Sequence, residues 1–352
     1  MITVRHLGRV EYADGLKLQQ TLQEARRAGE VGDTLLLLQH NPVLTLGRGA
    51  KAGNVLASPE VLAAQGVELV ETDRGGDVTY HGPGQLVGYP LLHLPPGKQD
   101  VRRYVRSLEE TLIRTLATFG LEATRFPQWP GVWVAQSRLG GPRKIAALGV
   151  HLSRWYTRHG FALNVEPTLE HFSLIVPCGI REAGVTSMAV ELGAAPPMAE
   201  VEAEVARRFG EVFESPLQRA GVDLRTVAVA VRRAEQVLLL QRTEAKGGFW
   251  QLVTGRLEPG ERPADAAARE LAEETGGQGP AHDLQYTHAF ALGDARPPVL
   301  CEEHGFGARL SGEVRLSAEH QRFEWVGRDE ALARLPFAGL REVVRRSYSE
   351  MS

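Results

Sequence analysis

Cysteine is nearly absent from this chain: 352 residues contain only Cys178 and Cys301. One pair cannot staple a chain of this length, so a disulfide framework is excluded and a reducing, cytoplasmic setting is expected. Long apolar runs are also missing, which excludes a membrane-spanning helix, and Met1-Ile2-Thr3-Val4-Arg5-His6 carries no apolar signal region. The formal charge of −3 comes with no basic patch or tail, which argues against a nucleic-acid partner. There is no internal repeat and no low-complexity tract. What remains is an ordinary globular composition, 43% apolar and 24% charged, on a chain long enough for two domains.

Strands and helices alternate, which places the chain in the α/β (α+β) class. Thr34–Gln39 reads as a strand buried on both faces. Asp100–Phe119 spaces Val101, Tyr104, Val105, Leu108, Leu112 and Leu116 as one face of a helix, with Gly120 as its stop. Ala199–Phe213 does the same with Val201, Val205, Phe209 and Val212, and Leu224–Val231 opens a new strand pattern. The composition shift near Arg219 divides the chain into residues 1–218 and 224–352.

In the first part, Arg74-Gly75-Gly76-Asp77-Val78-Thr79-Tyr80-His81-Gly82-Pro83-Gly84-Gln85 sets four glycines and a proline around an Arg, an Asp, a Tyr and a His. Glycine lets main chain turn through positive φ and approach a ligand closely, and the apolar stretch Leu86–Leu94 anchors this loop to a sheet. A lone Gly-Gly pair would be an ordinary turn; this longer, mixed run reads as a binding loop. Arg143-Lys144 leads directly into the apolar strand Ile145–Val150. There Lys144 either snorkels to solvent or finds a polar cleft. Cys178, between Pro177 and Gly179, is either a buried structural residue or a loop nucleophile whose thiolate a nearby ammonium would favour.

These pieces resemble the lipoyl(octanoyl) transferase family. The Gly-rich loop, the lysine segment Arg143–Val150, His159–Val165, the cysteine segment Phe172–Ile180, Gly184–Met188 and the upstream Leu35–Gly47 occur in family order across Met1 to Pro216. Asn41 stands where the family often has proline, and Asp77 where it often has another polar residue. The resemblance implies a biotin/lipoate protein ligase-like catalytic domain that transfers octanoyl from octanoyl-acyl carrier protein to a lipoyl-domain lysine, in 2-oxoacid dehydrogenases and the glycine cleavage H protein, without a cofactor. It implies catalytic roles for Cys178 (as a thioester acyl-enzyme), Lys144 and His81. It also implies substrate binding by Arg74, Gly75, Gly76, Asp77, Val78, Thr79, Tyr80 and His81, with Ala147, Leu148, Gly149, Gly160, Phe161 and Ala162 along the acyl chain. Main-chain donors near Gly179 would serve the oxyanion. Arg102, Arg103 and Arg106 are candidates for steering an acidic carrier protein. Cys301 lacks such a context and reads as a small core residue.

The second part contains Gly255-x5-Glu261-x7-Arg269-Glu270-Leu271-Ala272-Glu273-Glu274-Thr275-Gly276. Pro263 and Asp265 suit a helix start, and Glu270, Glu273 and Glu274 at i, i+3 and i+4 share a helix face. Carboxylates so crowded call for a hard cation, Mg²⁺ or Mn²⁺. The frame is that of a Nudix box, with Gly255, Glu261 and Arg269 in support, and Gly277 where an apolar residue is usual. The resemblance implies a Nudix α/β/α sandwich and metal-assisted hydrolysis of a phosphoanhydride in a nucleotide-like small molecule, a nucleoside or pterin triphosphate. Two rival readings stand beside these: an ATP-dependent lipoate or biotin ligase, which shares the fold but needs no cysteine, and a Nudix domain that binds a nucleotide as a regulatory module.

Overall fold

A computed structural model describes residues 1–127, 129–176, 184–292, 295, 297–310 and 313–351. They form two units that meet in sequence at Gly221 and Val222. No helix among them is long and apolar enough to cross a membrane.

The first unit contains strands β1 (Ile2–Val10), β2 (Asp33–His40), β3 (Val43–Leu46), β4 (Glu68–Glu71), β5 (Val78–His81), β6 (Gln85–Leu91), β7 (Thr124–Phe126), β8 (Trp129–Val134), β9 (Arg143–Ser153), β10 (Tyr156–Asn164), β11 (Gly184–Val185) and β12 (Leu217–Ala220). Its helices are α1 (Tyr12–Ala28), α2 (Pro59–Ala64), α3 (Val101–Thr118), α4 (Met188–Leu192) and α5 (Met198–Val212). The main sheet runs β12-β1-β2-β6-β10-β9-β8-β7, with β11 on β9, and a small sheet runs β4-β3-β5. β12 lies parallel to β1 in the register Ile2↔Leu217 to Arg5↔Ala220. The expected boundary at residue 218 therefore falls inside a strand, and the first unit extends to Gly221.

The leucine run of β2 is buried on both faces because layers cover both sides of the sheet. Leu35 and Leu37 join Leu108, Leu112 and Leu116 of α3 and Val201, Val205 and Phe209 of α5 in one core. Leu36 and Leu38, of opposite parity, face the other way and are equally buried. On that second side α1 crosses β6 and β10, and Gly15 of α1 lies against His40 at the end of β2. The helix over Asp100–Phe119 starts one residue later than expected, capped by the Asp100 carboxylate, which accepts the Arg103 N–H at 3.0 Å. Val101 stands 42% exposed rather than in the core.

The second unit contains β13 (Leu224–Arg233), β14 (Gln236–Arg242), β15 (Trp250–Gln251), β16 (Val253–Arg256), α6 (Pro263–Thr275), β17 (Ala281–Ala291), β18 (Leu300–Arg309), β19 (His320–Gly327), α7 (Arg328–Arg334) and α8 (Ala338–Glu350). Its mixed sheet runs β15-β14-β13-β18-β17, with β16 on β13 and β19 on β14. The alternation in β13 builds the sandwich. Val227, Val229 and Val231 pack with Ala266, Ala267 and Leu271 of α6, while Ala228 and Ala230 pack with Ala331, Leu340, Val343 and Val344 of α7 and α8. Gly277 suits its position: a Cβ there would meet Leu310 Cδ1 at 2.1 Å. Leu310 therefore supplies the apolar contact that the sequence pattern places at residue 277.

Candidate functional sites

The Gly-rich run of the first unit is a loop held between the two sheets. Gly75 N–H donates to Val150 O of β9 at 3.0 Å, while Arg48 N–H donates to Arg74 O and Gly49 N–H to Gly76 O, each at 3.0 Å. Gly76 sits at φ 88, a conformation that favours glycine. The Arg74 guanidinium is buried, and its Nη2 donates to Thr45 O at 2.6 Å. Asp77 accepts from its successor's N–H at 2.8 Å, from Lys51 N–H at 3.3 Å and from the Asn54 amide, so it stabilises the turn. Asn41 donates to the Glu11 carboxylate.

Beside this loop lies a pocket. Arg74, Gly76, Asp77, Thr79 and His81 form one wall, and Ala147, Leu148, Gly149, Gly160, Phe161 and Ala162 form another, with Tyr12, Val87, Tyr89 and His159 completing it. Three residues expected to bind substrate, Gly75, Val78 and Tyr80, do not line it. The side chains of Val78 and Tyr80 are fully buried in the small-sheet core with Leu44, Leu62 and Phe172, because successive residues of β5 point to opposite faces. Gly75 acts through its bond to β9 rather than as pocket lining.

His81 is a neutral imidazole. Both amide hydrogens of Gln85 are directed elsewhere, to Tyr80 O at 3.2 Å and Asn164 Oδ1 at 2.9 Å. Gln85 Oε1 therefore faces His81 Nδ1 at 2.7 Å, which places the proton on Nδ1 and leaves Nε2 unprotonated. Burial, then the neighbouring His40 and Arg74, push its pKa down to about 3. His40 is likewise held down to about 4 by burial; its Nδ1 donates to Val10 O at 2.7 Å and its Nε2 accepts from the Tyr89 hydroxyl at 2.7 Å. His159 is lowered to about 4, chiefly by burial, with its Nε2 2.7 Å from Asp73 Oδ1.

The sign of the pH effect follows. Below pH 6.5 the unfolded chain protonates these three histidines while the folded unit resists. Their contribution is fully present above 6.5 and is lost as pH falls toward about 3 to 4. Each costs up to roughly 1.4 kcal/mol per pH unit in that window. The urea midpoint of the first unit is expected to drop markedly between pH 7 and pH 5, and an unchanged midpoint would contradict neutral burial.

Lys144 is 6% exposed in β9, with its ammonium 5.0 Å from the Trp133 ring centroid. Its carbonyl accepts the Thr186 N–H at 2.9 Å, and Val185 of β11 pairs with it in register. Cys178 and Gly179 lie outside the described residues. The chain on either side of 177–183 is anchored, upstream at the Ala52–Asn54 turn that bonds Asp77 and downstream on β9 at this lysine. Val176 N–H donates to Asn54 O at 2.8 Å, and Gly184 pairs with Arg143.

In the second unit, Glu270 packs over Gly255, where a Cβ would stand 1.7 Å from its carboxyl carbon. Arg269 holds the preceding turn: Nε and Nη2 reach Glu261 at 2.9 and 3.0 Å, Nη2 also donates to Arg256 O at 2.8 Å, and Nη1 lies 2.8 Å from Glu270 and 3.2 Å from Glu273. Glu274 is buried and accepts the Thr254 N–H at 3.2 Å; burial pushes its carboxyl up to about 8. Burial raises Glu270 too. The three carboxylates are not gathered on one point, since Glu273 is turned outward and 58% exposed. Among the described residues no three His, Cys, Asp or Glu side chains are placed to hold a metal ion. Buried carboxylates that resist ionisation alone nevertheless form a hard-oxygen donor set that fits a divalent cation.

Residues 11–210 match the lipoyl protein ligase A/B catalytic domain family and residues 223–346 the NUDIX domain family. An octanoyltransferase of Myxococcus xanthus is 58% identical over 352 residues, covering 98% of this chain and 99% of that protein. The chain belongs to the octanoyltransferase family. It is an acyltransferase that carries a Nudix domain. The octanoyltransferase of Acidobacterium capsulatum, 52% identical over 222 residues, covers 60% of this chain but 90% of its own length, so the Nudix domain is an addition that this relative lacks. Two solved structures share the fold of the transferase unit. A bi-partite lipoate protein ligase from Thermoplasma acidophilum, described with its E2 lipoyl domain, has TM-score 0.50 and 16% identity, covering 63% of this chain and 88% of that one. Lipoate-protein ligase A bound with ATP has TM-score 0.51 and 18% identity, covering 63% and 90%.

Three pocket residues of this octanoyltransferase carry no signal of their own in the sequence, Tyr12, Val87 and Tyr89, and His159 is legible only as the first residue of the segment His159–Val165. Only the crossing of α1 over β6 and β10 brings Tyr12 beside His81, with ring centroids 6.0 Å apart. The arginines expected to steer a carrier are not part of the pocket lining. Arg102, Arg103 and Arg106 belong to α3, whose apolar stripe commits it to the face of the sheet opposite α1 and the His40–Tyr12–His81 group. Cys301 is fully buried, its thiol raised to about 11 by burial.

Proposed function

We propose that the first unit transfers octanoyl through a Cys178 thioester, with acyl carrier protein as donor and a lipoyl domain as acceptor. The observation that carries this reading is the position of Lys144. Its strand pairs with β11 directly after segment 177–183, and the same strand continues into the pocket wall at Ala147, Leu148 and Gly149. The Cys178 thiolate attacks the thioester carbonyl; the bond to the carrier's sulfur breaks, and that sulfur leaves as a thiol with the proton Cys178 gave up. The lysine amine of a lipoyl domain, in a 2-oxoacid dehydrogenase or the glycine cleavage H protein, then attacks the acyl-enzyme. A C–N bond forms, the C–S bond breaks, and one amine proton returns to the cysteine sulfur.

The Lys144 ammonium favours the thiolate over the thiol. His81, held neutral with Nε2 unprotonated, offers the pocket a hydrogen-bond acceptor that positions the acyl group; so low a pKa makes it a weak base. Amide formation should proceed with octanoyl-carrier protein and a lipoyl domain in buffer without ATP; an ATP requirement would favour the ligase reading. Lys144→Ala is expected to slow transfer about 10²- to 10⁴-fold and to move the pH profile of iodoacetamide alkylation at Cys178 upward. An unmoved profile would confine Lys144 to the amine step.

For the second unit we infer metal-dependent hydrolysis of a nucleoside or pterin triphosphate. Glu270, Glu273 and Glu274 would hold Mg²⁺ or Mn²⁺. The cation would supply charge neutralisation at the phosphoanhydride and activation of water. Arg269 and Glu261 keep the turn before α6 in place, and Gly255 gives Glu270 its room. The intact carboxylate set supports hydrolysis over a purely regulatory module, and phosphate release from a triphosphate panel with and without Mg²⁺ tests it.

A further inference from the structure

A strip of unpaired positive charge leads away from the octanoyl pocket along the β9–β10 hairpin. On one face of β9, Gly149 lines the pocket, His151 follows and Ser153 ends the strand; these residues share a side because their spacing is two. Arg48 is tied to the pocket wall, its N–H bonded to the O of the lining residue Arg74, with its Nη2 3.5 Å from His151 Nε2. Arg27, at the end of α1, donates to Ser153 O at 3.0 Å and lies 5.3 Å from the Tyr156 ring centroid. The hairpin turns through Arg154 and Trp155, at φ 51 and 65, and exposes both side chains.

No described residue forms an ion pair with Arg27, Arg48 or Arg154. Asp73, the carboxylate paired with His151, is already engaged by His159, Arg158 and His151. The imbalance is felt at His151, whose pKa is lowered by burial and by the charges of Arg158, Arg48 and Arg27 against the pull of Asp73. An exposed aromatic flanked by unpaired arginines, at the end of a track into an acyl pocket, is suited to a ligand that is anionic outside and acylated inside.

We propose that Arg48, Arg27, Arg154 and Trp155 form the docking strip for the acidic carrier protein that presents octanoyl on a phosphopantetheine arm. Arg48, tied to the pocket wall, meets the arm's phosphodiester, and Arg27 and Arg154 meet carboxylates of the carrier itself. This rests on the carrier-thioester reading above. It assigns carrier recognition to the hairpin rather than to α3.

The test compares octanoyl-carrier protein, octanoyl-CoA and octanoyl-pantetheine as donors to the full-length wild type, the Arg27→Glu/Arg154→Glu pair and Arg154→Glu alone. The pair is expected to raise KM for octanoyl-carrier protein about tenfold or more, and Arg154→Glu alone about threefold, with kcat unchanged. KM for octanoyl-pantetheine should stay at the wild-type value in both variants, which also shows that they are folded. Added salt should raise KM for the carrier in wild type and do so less in the pair. A carrier KM within twofold of wild type in the pair overturns the proposal. So does an equal rise with octanoyl-pantetheine or octanoyl-CoA, which would place the effect in the pocket or on a nucleotide phosphate. Failure of the underlying reading looks different: wild type itself would not accept octanoyl from the carrier.

Discussion

Cys178→Ala is expected to lower octanoyl transfer by about three orders of magnitude or more, because it removes the atom that carries the acyl group between two protein partners. The fold should survive. The substitution deletes one sulfur in a stretch flanked by chain that is anchored independently, at Val176 through Asn54 and at Gly184 and Val185 through β9. Cys301→Ala is the internal control. Its thiol is wholly buried, raised to about 11 and 3.4 Å from the Thr226 hydroxyl, so its loss should cost some stability in the second unit and leave transfer intact. Transfer assays on both variants, with thermal unfolding as a check on folding, decide the matter. Activity retained by Cys178→Ala would refute the thioester route.

Glu273→Gln should abolish most triphosphate hydrolysis while leaving octanoyl transfer unchanged. Glu273 is 58% exposed and makes one 3.2 Å contact with Arg269, so the fold has little stake in its charge. A divalent cation held by three carboxylates has a large stake in it, because the change removes one anionic oxygen ligand. EDTA should reproduce the same division in unaltered protein. Hydrolysis that persists without metal would contradict the metal-dependent reading of the Nudix domain. Loss of both activities together would show that they are coupled.

Much of the architecture was legible because it rests on short-range periodicity. The stripe Tyr104, Leu108, Leu112 and Leu116 specifies a helix with one buried face, and Asp100 marks its start. The valine–alanine alternation of β13 specifies a strand covered on both sides. The Gly-rich loop and the Nudix box are also local words, readable as such. What escaped depends on contacts distant in sequence. β12 has no pattern that reveals its parallel pairing with β1. Tyr12 joins the pocket because α1 crosses the sheet, and Arg102, Arg103 and Arg106 are basic and exposed yet ride on the helix that faces the other layer. Val78 and Tyr80 were grouped with the loop by adjacency. The two-residue period of β5 separates them from Asp77, Thr79 and His81.

The central claim is that the acyl group rests on Cys178 between donor and acceptor. Intact-mass spectrometry of the full chain mixed with octanoyl-carrier protein, without lipoyl domain and without ATP, addresses it directly. The account predicts a mass increase of one octanoyl group, located by peptide mapping on Cys178, absent in Cys178→Ala, and discharged when a lipoyl domain is added. A protein that stays unmodified while transferring octanoyl, or that carries the group on any other residue, would contradict it.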